Sequence, residues 1–294
     1  MNSYLIVLIN YNNWQDTLEC IDSLLNAGVE YSAIFVIENG STNDSYDKLK
    51  SHLPRVNIIK TDCNLGFSRG NNLGIKDGIK KDVEYIILLN NDTIVERNSI
   101  KILIDEMNKN TDVSIGTGQI RYYPEKDKIW YAGGKLITWR GLAKHNKFSE
   151  KRNTEYSQKP LMTSFISGCY MCIRTSHIKD LGLLNEKFFL YLEDIEYSAR
   201  AINKKMKLMY VSGSVIYHKW RGETKLKYQT LYYAVRNRKL LIDLAFPIRA
   251  KFYFQIAIFT KMIYWLITDG ELFRAAKRGL EDYKKSYFGP IRLS

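Results

Sequence analysis

The sequence predicts an α/β protein, a mostly parallel sheet flanked by helices, followed by a helical, basic C-terminal extension. Three observations predict it. Apolar, β-branched runs alternate with helical segments through the first 117 residues, the pattern of parallel strands joined by crossover helices. The runs are continuous, as strands buried on both faces require. From Tyr228 onward the chain is aromatic and helical in period.

The elements follow in order. Tyr4-Leu-Ile-Val-Leu-Ile9 is a buried strand, broken by Asn10-Tyr-Asn-Asn13. Trp14 to Ala27 places Leu18, Ile21, Leu24 and Leu25 at helical spacing and stops at Gly28, a glycine C-cap. Ala33 to Ile37 is the second strand, Glu38 to Asp44 a polar turn, and Ser45 to Leu53 a short helix. Val56 to Ile59 is the third strand, and Asn64 to Asn72 opens a helix reaching about Lys80. Tyr85 to Leu89 is the fourth strand, closed by Asn90-Asn-Asp-Thr93. Ser99 to Lys109 is a helix and Val113 to Thr117 a short strand. Residues 119–159, aromatic and rich in Lys and Gly, are expected as hairpins and loops. Ser164 to Arg174 is another strand, Ile195 to Lys204 a helix, and Leu208 to Val211 and Val215 to His218 are short strands.

Composition narrows the class. The 294 residues are 45% hydrophobic and 26% charged, as in ordinary globular chains. Net charge is +13, yet residues 219–294 hold 16 Lys and Arg against 6 Asp and Glu, so the remaining 28 basic and 25 acidic residues nearly balance. A basic tail suits an anionic surface or a solvated face. Met1-Asn2-Ser3 lacks a basic n-region and the run to Ile9 is short for a signal peptide, so the expected place is the cytoplasm. Cys169-Tyr-Met-Cys172 has C-x-x-C spacing but no second ligand pair, which favours core packing over zinc or redox work. No dinucleotide fingerprint, P-loop, G-x-S-x-G or H-E-x-x-H is present.

Polar clusters fall at the carboxyl ends of the predicted strands, where open parallel sheets bind ligands. Asp92 can bind a hard divalent cation that also holds phosphates, or cap the next helix. Glu38 can accept from a base or ribose, or form a turn. Glu193-Asp194 follows an aromatic run. Desolvation and like charge there suit a general base, while an acidic helix start is the plainer alternative. His218 is a metal or diphosphate contact or a structural histidine. Arg174, Arg236 and Arg238 are candidate diphosphate clamps.

In this order, the motifs resemble the inverting family 2 glycosyltransferases of the GT-A fold, in their rhamnosyltransferase-like branch. The segments are Val7-Leu-Ile-Asn-Tyr-Asn12, Val36-Ile-Glu-Asn-Gly-Ser-Thr42, Asn64-Leu-Gly-Phe-Ser-Arg-Gly-Asn-Asn-Leu-Gly74 and Leu88-Leu-Asn-Asn-Asp-Thr93. Tyr131-Ala-Gly-Gly134, Ser167-Gly-Cys-Tyr-Met-Cys-Ile-Arg174, Phe188-Phe-Leu-Tyr-Leu-Glu-Asp194 and Tyr217-His218 continue the set, which covers about residues 4–222. The resemblance implies that Asp194 is the catalytic base with Glu193 beside it. Glu38 would read the donor's pyrimidine, with Asn10, Tyr11, Asn39, Gly66, Arg69 and Asn91 around the nucleotide. Asp92, last acid of the D-x-D motif, and His218 would hold Mg²⁺ or Mn²⁺. Three departures stand out: the base-reading acid is Glu38 rather than Asp, Asn90 replaces the first acid of D-x-D, and the acid expected after Gly-Ser-Thr is displaced, with Asn43 in its place and Asp44 one later.

The resemblance also implies a catalytic unit over 1–222, with a nucleotide half (1–117) and an acceptor half (118–222), and a helical extension over 223–294. The donor would be a UDP- or dTDP-sugar and the acceptor a glycan or lipid-linked saccharide. Residues 252–267 are apolar and aromatic but broken by Gln255 and Lys261. They are too short for a span and read as an interfacial helix on the inner face of the cell membrane, or as a helix docked on the catalytic unit. A catalytically silent membrane-bound relative is the competing function, against which Asp92 and Glu193-Asp194 speak. Nucleic acid is not expected as a partner, since no recognition motif accompanies the charge.

Overall fold

The computed structural model describes residues 3–146, 159–219 and 227–292. The first half runs β1 (Tyr4–Asn10), α1 (Trp14–Asn26), β2 (Ile34–Glu38), α2 (Ser45–His52), β3 (Asn57–Lys60), α3 (Gly66–Lys80), β4 (Tyr85–Asn90), β5 (Thr93–Val95) and α4 (Ser99–Lys109). The second runs β6 (Val113–Tyr122), β7 (Ile129–Tyr131), β8 (Gly134–Ile137), β9 (Leu142–His145), β10 (Leu161–Thr163), β11 (Tyr170–Arg174), α5 (Thr175–Leu181), α6 (Glu193–Asn203) and β12 (Lys207–His218). Helices α7 (Lys227–Ala245), α8 (Ile248–Thr268) and α9 (Gly270–Lys284) follow.

The main sheet has the order β10-β12-β6-β11-β4-β1-β2-β3. Its β4-β1-β2-β3 block is parallel throughout, and β12 is parallel to β6. Strand β11 lies between the two blocks and runs antiparallel to both β4 and β6. The expected division at 117/118 falls within β6, so the two halves share one sheet.

Continuous apolar strands place alternate side chains on opposite faces. In β1, Ile6 and Leu8 enter one core cluster and Leu5 and Val7 the other. In β4, Tyr85, Ile87 and Leu89 divide from Ile86 and Leu88 in the same way. Helices α1 and α4 cover the first face through Ile21, Leu24, Leu103 and Met107. Helix α3 covers the second with Ile75. Gly70, Gly74 and Gly78 lie along α3, and a Cβ on them would stand 2.9 Å from Ile9, 2.4 Å from Val7 and 2.8 Å from Ile86. Each glycine costs about 1 kcal/mol of helix propensity. Close approach to β1 and β4 offsets that cost and holds the α3 N-terminus near the strand ends.

Several expected elements are redrawn by tertiary contacts. Only Tyr170–Arg174 of the 164–174 segment is strand. The Ile166 and Gly168 amides donate instead to Ser198 Oγ and Asp194 Oδ2 of α6. Helix α6 starts at Glu193, because Leu192 is left-handed (φ 70°) and its carbonyl accepts from the Glu196 amide at 3.0 Å. The strands expected at 208–211 and 215–218 are one strand with a bulge between Val211 and Val215. A β8–β9 hairpin forms within 119–159, but residues 147–158 of that segment and the expected boundary at 222/223 lie outside the described residues.

Candidate active site

A cleft of about 180 Å³ opens at the carboxyl ends of β1 and β4, lined by Ile9, Leu89, Asn90, Asn91 and Asp92, with Phe67 and Asn71 from α3. Strand pairing decides which distant residues meet there. On β12, His218 is in register with Thr93 of β5, so its Nε2 lies 3.3 Å from Asp92 Oδ1. The ring is held edge-on by Trp130 at 5.0 Å. Asp92 Oδ1 and His218 Nδ1 have no hydrogen-bond partner among the described residues. Next to His218, Lys219 donates its amide to Asp92 O and pairs through Nζ with Asp16 and Glu19 of α1.

Behind the cleft runs a polar network. Asn10 Oδ1 accepts from Thr17 Oγ1 at 2.9 Å, and the same Oγ1 accepts from Asn91 Nδ2 at 2.8 Å. Glu38 is in register with Asn10 and fully buried. Its Oε1 accepts from the Ser41 amide at 3.0 Å, while Oε2 has no partner among the described residues. Asn39 bridges the loop to α3, donating to Asn64 Oδ1 and Gly66 O and accepting from the Leu65 amide. Gly66 has φ +77°, and a Cβ there would stand 2.2 Å from Phe189 O.

Gly168 stands between Asp194 and Phe67 of the cleft lining: a Cβ on it would lie 3.1 Å from the Phe67 ring and 3.5 Å from Asp194 Cβ. Asp194 Oδ2 accepts from the Gly168 amide at 3.0 Å and Oδ1 from the Ile195 amide at 2.8 Å. Burial raises its pKa above the ordinary carboxylate value, against the opposing pull of those amides. Glu193 is more deeply buried, and desolvation followed by the charge of Asp194 pushes its carboxyl well above the ordinary range. A carboxylate kept basic in this way is better equipped to take a proton than an ordinary one.

The extension completes this side. Tyr191 and Leu192, immediately before the acidic pair, are both left-handed, with φ 72° and 70°. Asn237 of α7 is fully buried and donates from Nδ2 to Leu190 O at 2.7 Å and Tyr191 O at 2.9 Å. Its Oδ1 accepts from Arg236 Nε at 3.0 Å, and Tyr233 stacks on Phe189. No spacing in the sequence marks Asn237, Gly168 or Trp130 for these positions.

The structure thus places Asn91 and Asp92 in the cleft, His218 within 3.3 Å of Asp92, and Asp194 on Gly168 beside Phe67, with Asn10 and Glu38 paired at the neighbouring strand ends and Asn39 bonded to Gly66 at the start of α3. Tyr11 is exposed, and Arg69 faces outward to Glu186 at 3.3 Å. None of the three candidate arginines lines the cleft. Arg174 lies at the opposite end of β4 and bonds Met107 O, Val113 O and Tyr85. Arg236 is buried in the extension with Gly289 O and Tyr232, and Arg238 bonds Arg140 O. Cys169 and Cys172 are buried, and burial pushes their thiols up, which makes them inert packing groups.

The model of the family described as "Glycosyl transferase family 2" matches residues 5–182. The low-salt glycan biosynthesis hexosyltransferase Agl10 of Haloferax volcanii is 28% identical over 67% of this chain and 60% of its own length. The dTDP-rhamnosyl transferase RfbF of Shigella flexneri is 24% identical over 69% of this chain and 64% of its own. The match therefore spans less than two thirds of either relative. An N-acetylglucosaminyl-diphospho-decaprenol L-rhamnosyltransferase of Mycobacterium tuberculosis is 23% identical over 73% of this chain and 75% of its own. Among solved structures, GalNAc-T7 with UDP, GalNAc and Mn²⁺ superposes with TM-score 0.62 at 17% identity, over 82% of this chain and 48% of that one. At that identity the likeness speaks to the fold alone, which is GT-A.

Proposed function

This chain belongs to glycosyl transferase family 2, and on that premise we propose that it moves a sugar from a nucleotide diphosphate donor to an acceptor hydroxyl, inverting the anomeric centre. One observation carries the reading: Asp194, its carboxyl made basic by burial and fixed by two amides, adjoins Gly168, which in turn adjoins Phe67 of the cleft that Asp92 also lines. The acceptor oxygen gives its proton to Asp194 and attacks the anomeric carbon from the side opposite the diphosphate. The carbon–oxygen bond to the diphosphate breaks, and the leaving group takes the electron pair. Attack from the far side inverts the configuration. Tyr191, Leu192 and Asn237 hold the carboxylate in place, a matter of geometry worth orders of magnitude in rate.

Asp92 and His218 fit a shared divalent cation. Asp92 Oδ1 is buried without a hydrogen-bond partner among the described residues and stands 3.3 Å from His218 Nε2, so one ion could sit between the two. No group of three or more His, Cys, Asp or Glu suited to a metal occurs among the described residues, so diphosphate oxygens would complete the coordination, as Mg²⁺ sites commonly require. Bound there, Mg²⁺ or Mn²⁺ would offset charge on the departing diphosphate. Glu38, Asn10, Tyr11, Asn39, Gly66, Arg69 and Asn91 form the proposed nucleotide side for a UDP- or dTDP-sugar donor, the latter supported by the name of the Shigella relative. The acceptor we assign is a glycan or lipid-linked saccharide precursor of the cell envelope. It is met on the inner face of the membrane by the extension from residue 223, with residues 1–222 as the catalytic unit.

Thermal unfolding with UDP, dTDP, GDP and CMP, each with and without Mn²⁺, tests this. A ligand at about 100 times its Kd stabilises by about 2.7 kcal/mol. A Mn²⁺-dependent shift with UDP or dTDP is expected, lost in Asp92→Ala and kept in Asp194→Asn, which abolishes transfer. No shift with any nucleotide would favour the catalytically silent relative instead.

A further inference from the structure

Helix α8 is apolar on two sides and buries only one. Ala250, Phe254 and Ile258 pack into the core. On the opposite side Ile248, Phe252, Ile256, Phe259, Ile263 and Ile267 recur every three or four residues, so they share a face, and they are 47–80% exposed. Large apolar side chains scattered singly are normal on a surface, but six in one stripe mark an interaction face. The helix is not a span: its inner side is docked on the domain, and no described helix is long and apolar enough to cross a membrane.

We propose that this face of α8 lies in the interface of an anionic lipid membrane, with the helix axis in the membrane plane. Charge selects that occupant. Residues 219–294 carry 16 basic against 6 acidic residues, including exposed Arg249 on α8 and Arg274 and Lys277 on α9. A second copy of the chain would set like charge against like charge, whereas anionic headgroups complement it. Trp139 extends the face onto the catalytic unit. It is 54% exposed and meets Tyr253 of α8 edge-on at 5.2 Å, and Arg140 Nε donates to the Tyr253 hydroxyl at 3.1 Å. Tryptophan beside arginine suits the headgroup level.

A docked α8 would bring the chain to the surface on which a lipid-carried saccharide lies. That purpose rests on the proposed transferase reading; the docking itself does not.

The full chain, without donor or acceptor, is centrifuged with sucrose-loaded vesicles of phosphatidylcholine alone or mixed with phosphatidylglycerol. Co-sedimentation with the anionic vesicles is expected, weakening as salt rises. Arg249→Gln should lower the partition coefficient about five-fold, the usual effect of one basic residue near such a surface. Phe252→Gln/Ile256→Gln/Phe259→Gln should abolish pelleting while circular dichroism and the nucleotide thermal shift stay unchanged. A wild-type chain that stays in the supernatant, or a triple variant that still pellets, overturns the proposal. A concentration-dependent dimer that the triple variant dissolves would give the face to a second copy. No sugar transfer is read, so loss of the transferase reading and loss of the docking are separately visible.

Discussion

Replacing Asn237 with alanine tests how the extension acts on Asp194, the proposed catalytic base. The two left-handed residues before the acidic pair, Tyr191 and Leu192, cost about 1–2 kcal/mol each. Asn237 opposes that cost with two hydrogen bonds, at 2.7 and 2.9 Å, to Leu190 O and Tyr191 O. Each contributes about 1 kcal/mol net, and a carbonyl left buried without a partner costs about 1–3 kcal/mol. The two sums are of the same size, so Asn237→Ala should let the turn relax and lower stability by about 2–4 kcal/mol. A shift of about 1 Å at Asp194 should lower kcat about 100-fold. Donor KM should hold, because the proposed nucleotide side is built on β1, β2 and α3. The acid limb of the pH–rate profile should also move down as Asp194 becomes wetter. Tyr191→Gly removes one left-handed penalty, so it should recover part of kcat in the Asn237→Ala background, a coupling read from the double-mutant cycle. If Asn237→Ala loses stability but keeps kcat and pH profile within two-fold of wild type, Asn237 is structural and the positioning role is wrong.

Two other outcomes follow from the same turn. Glu193 binds its proton more tightly in the folded protein, since burial and Asp194 raise its carboxyl. Its unfavourable contribution is therefore absent below the ordinary glutamate range and grows as pH rises from there through the raised value. Glu193→Gln should raise Tm by a few °C near neutral pH and by nothing in acid; a pH-independent difference would contradict the burial argument. Gly66→Ala places a Cβ 2.2 Å from Phe189 O in a left-handed residue. It should lower stability by about 2–4 kcal/mol, read as a drop in the urea midpoint at constant m. An unchanged midpoint would mean the Phe189 segment yields without cost.

Much of this protein was written locally. The apolar runs of β1, β2 and β4 and the period of α1, α3 and α4 follow from side-chain alternation at 2.0 and 3.6 residues. Strand ends carrying Asn10, Glu38 and Asp92 therefore fell where a ligand site was expected. The sequence likewise determined that the extension is helical, apolar and basic. What it could not decide are the meetings of distant segments. That β11 enters antiparallel between β4 and β6 depends on competing pairings across the whole sheet. That His218 faces Asp92 follows from the register of β12 on β5. The amides of Ile166 and Gly168 leave the expected strand because α6 offers them Ser198 and Asp194. Asn237 looks like any polar residue in a helix until tertiary packing sets it against two carbonyls. Likewise, helical period alone gave α8 two apolar sides; only docking on the catalytic unit buried one and left the other to solvent. Periodicity is a property of neighbours in the chain, whereas register, burial and hydrogen-bond choice belong to the folded whole.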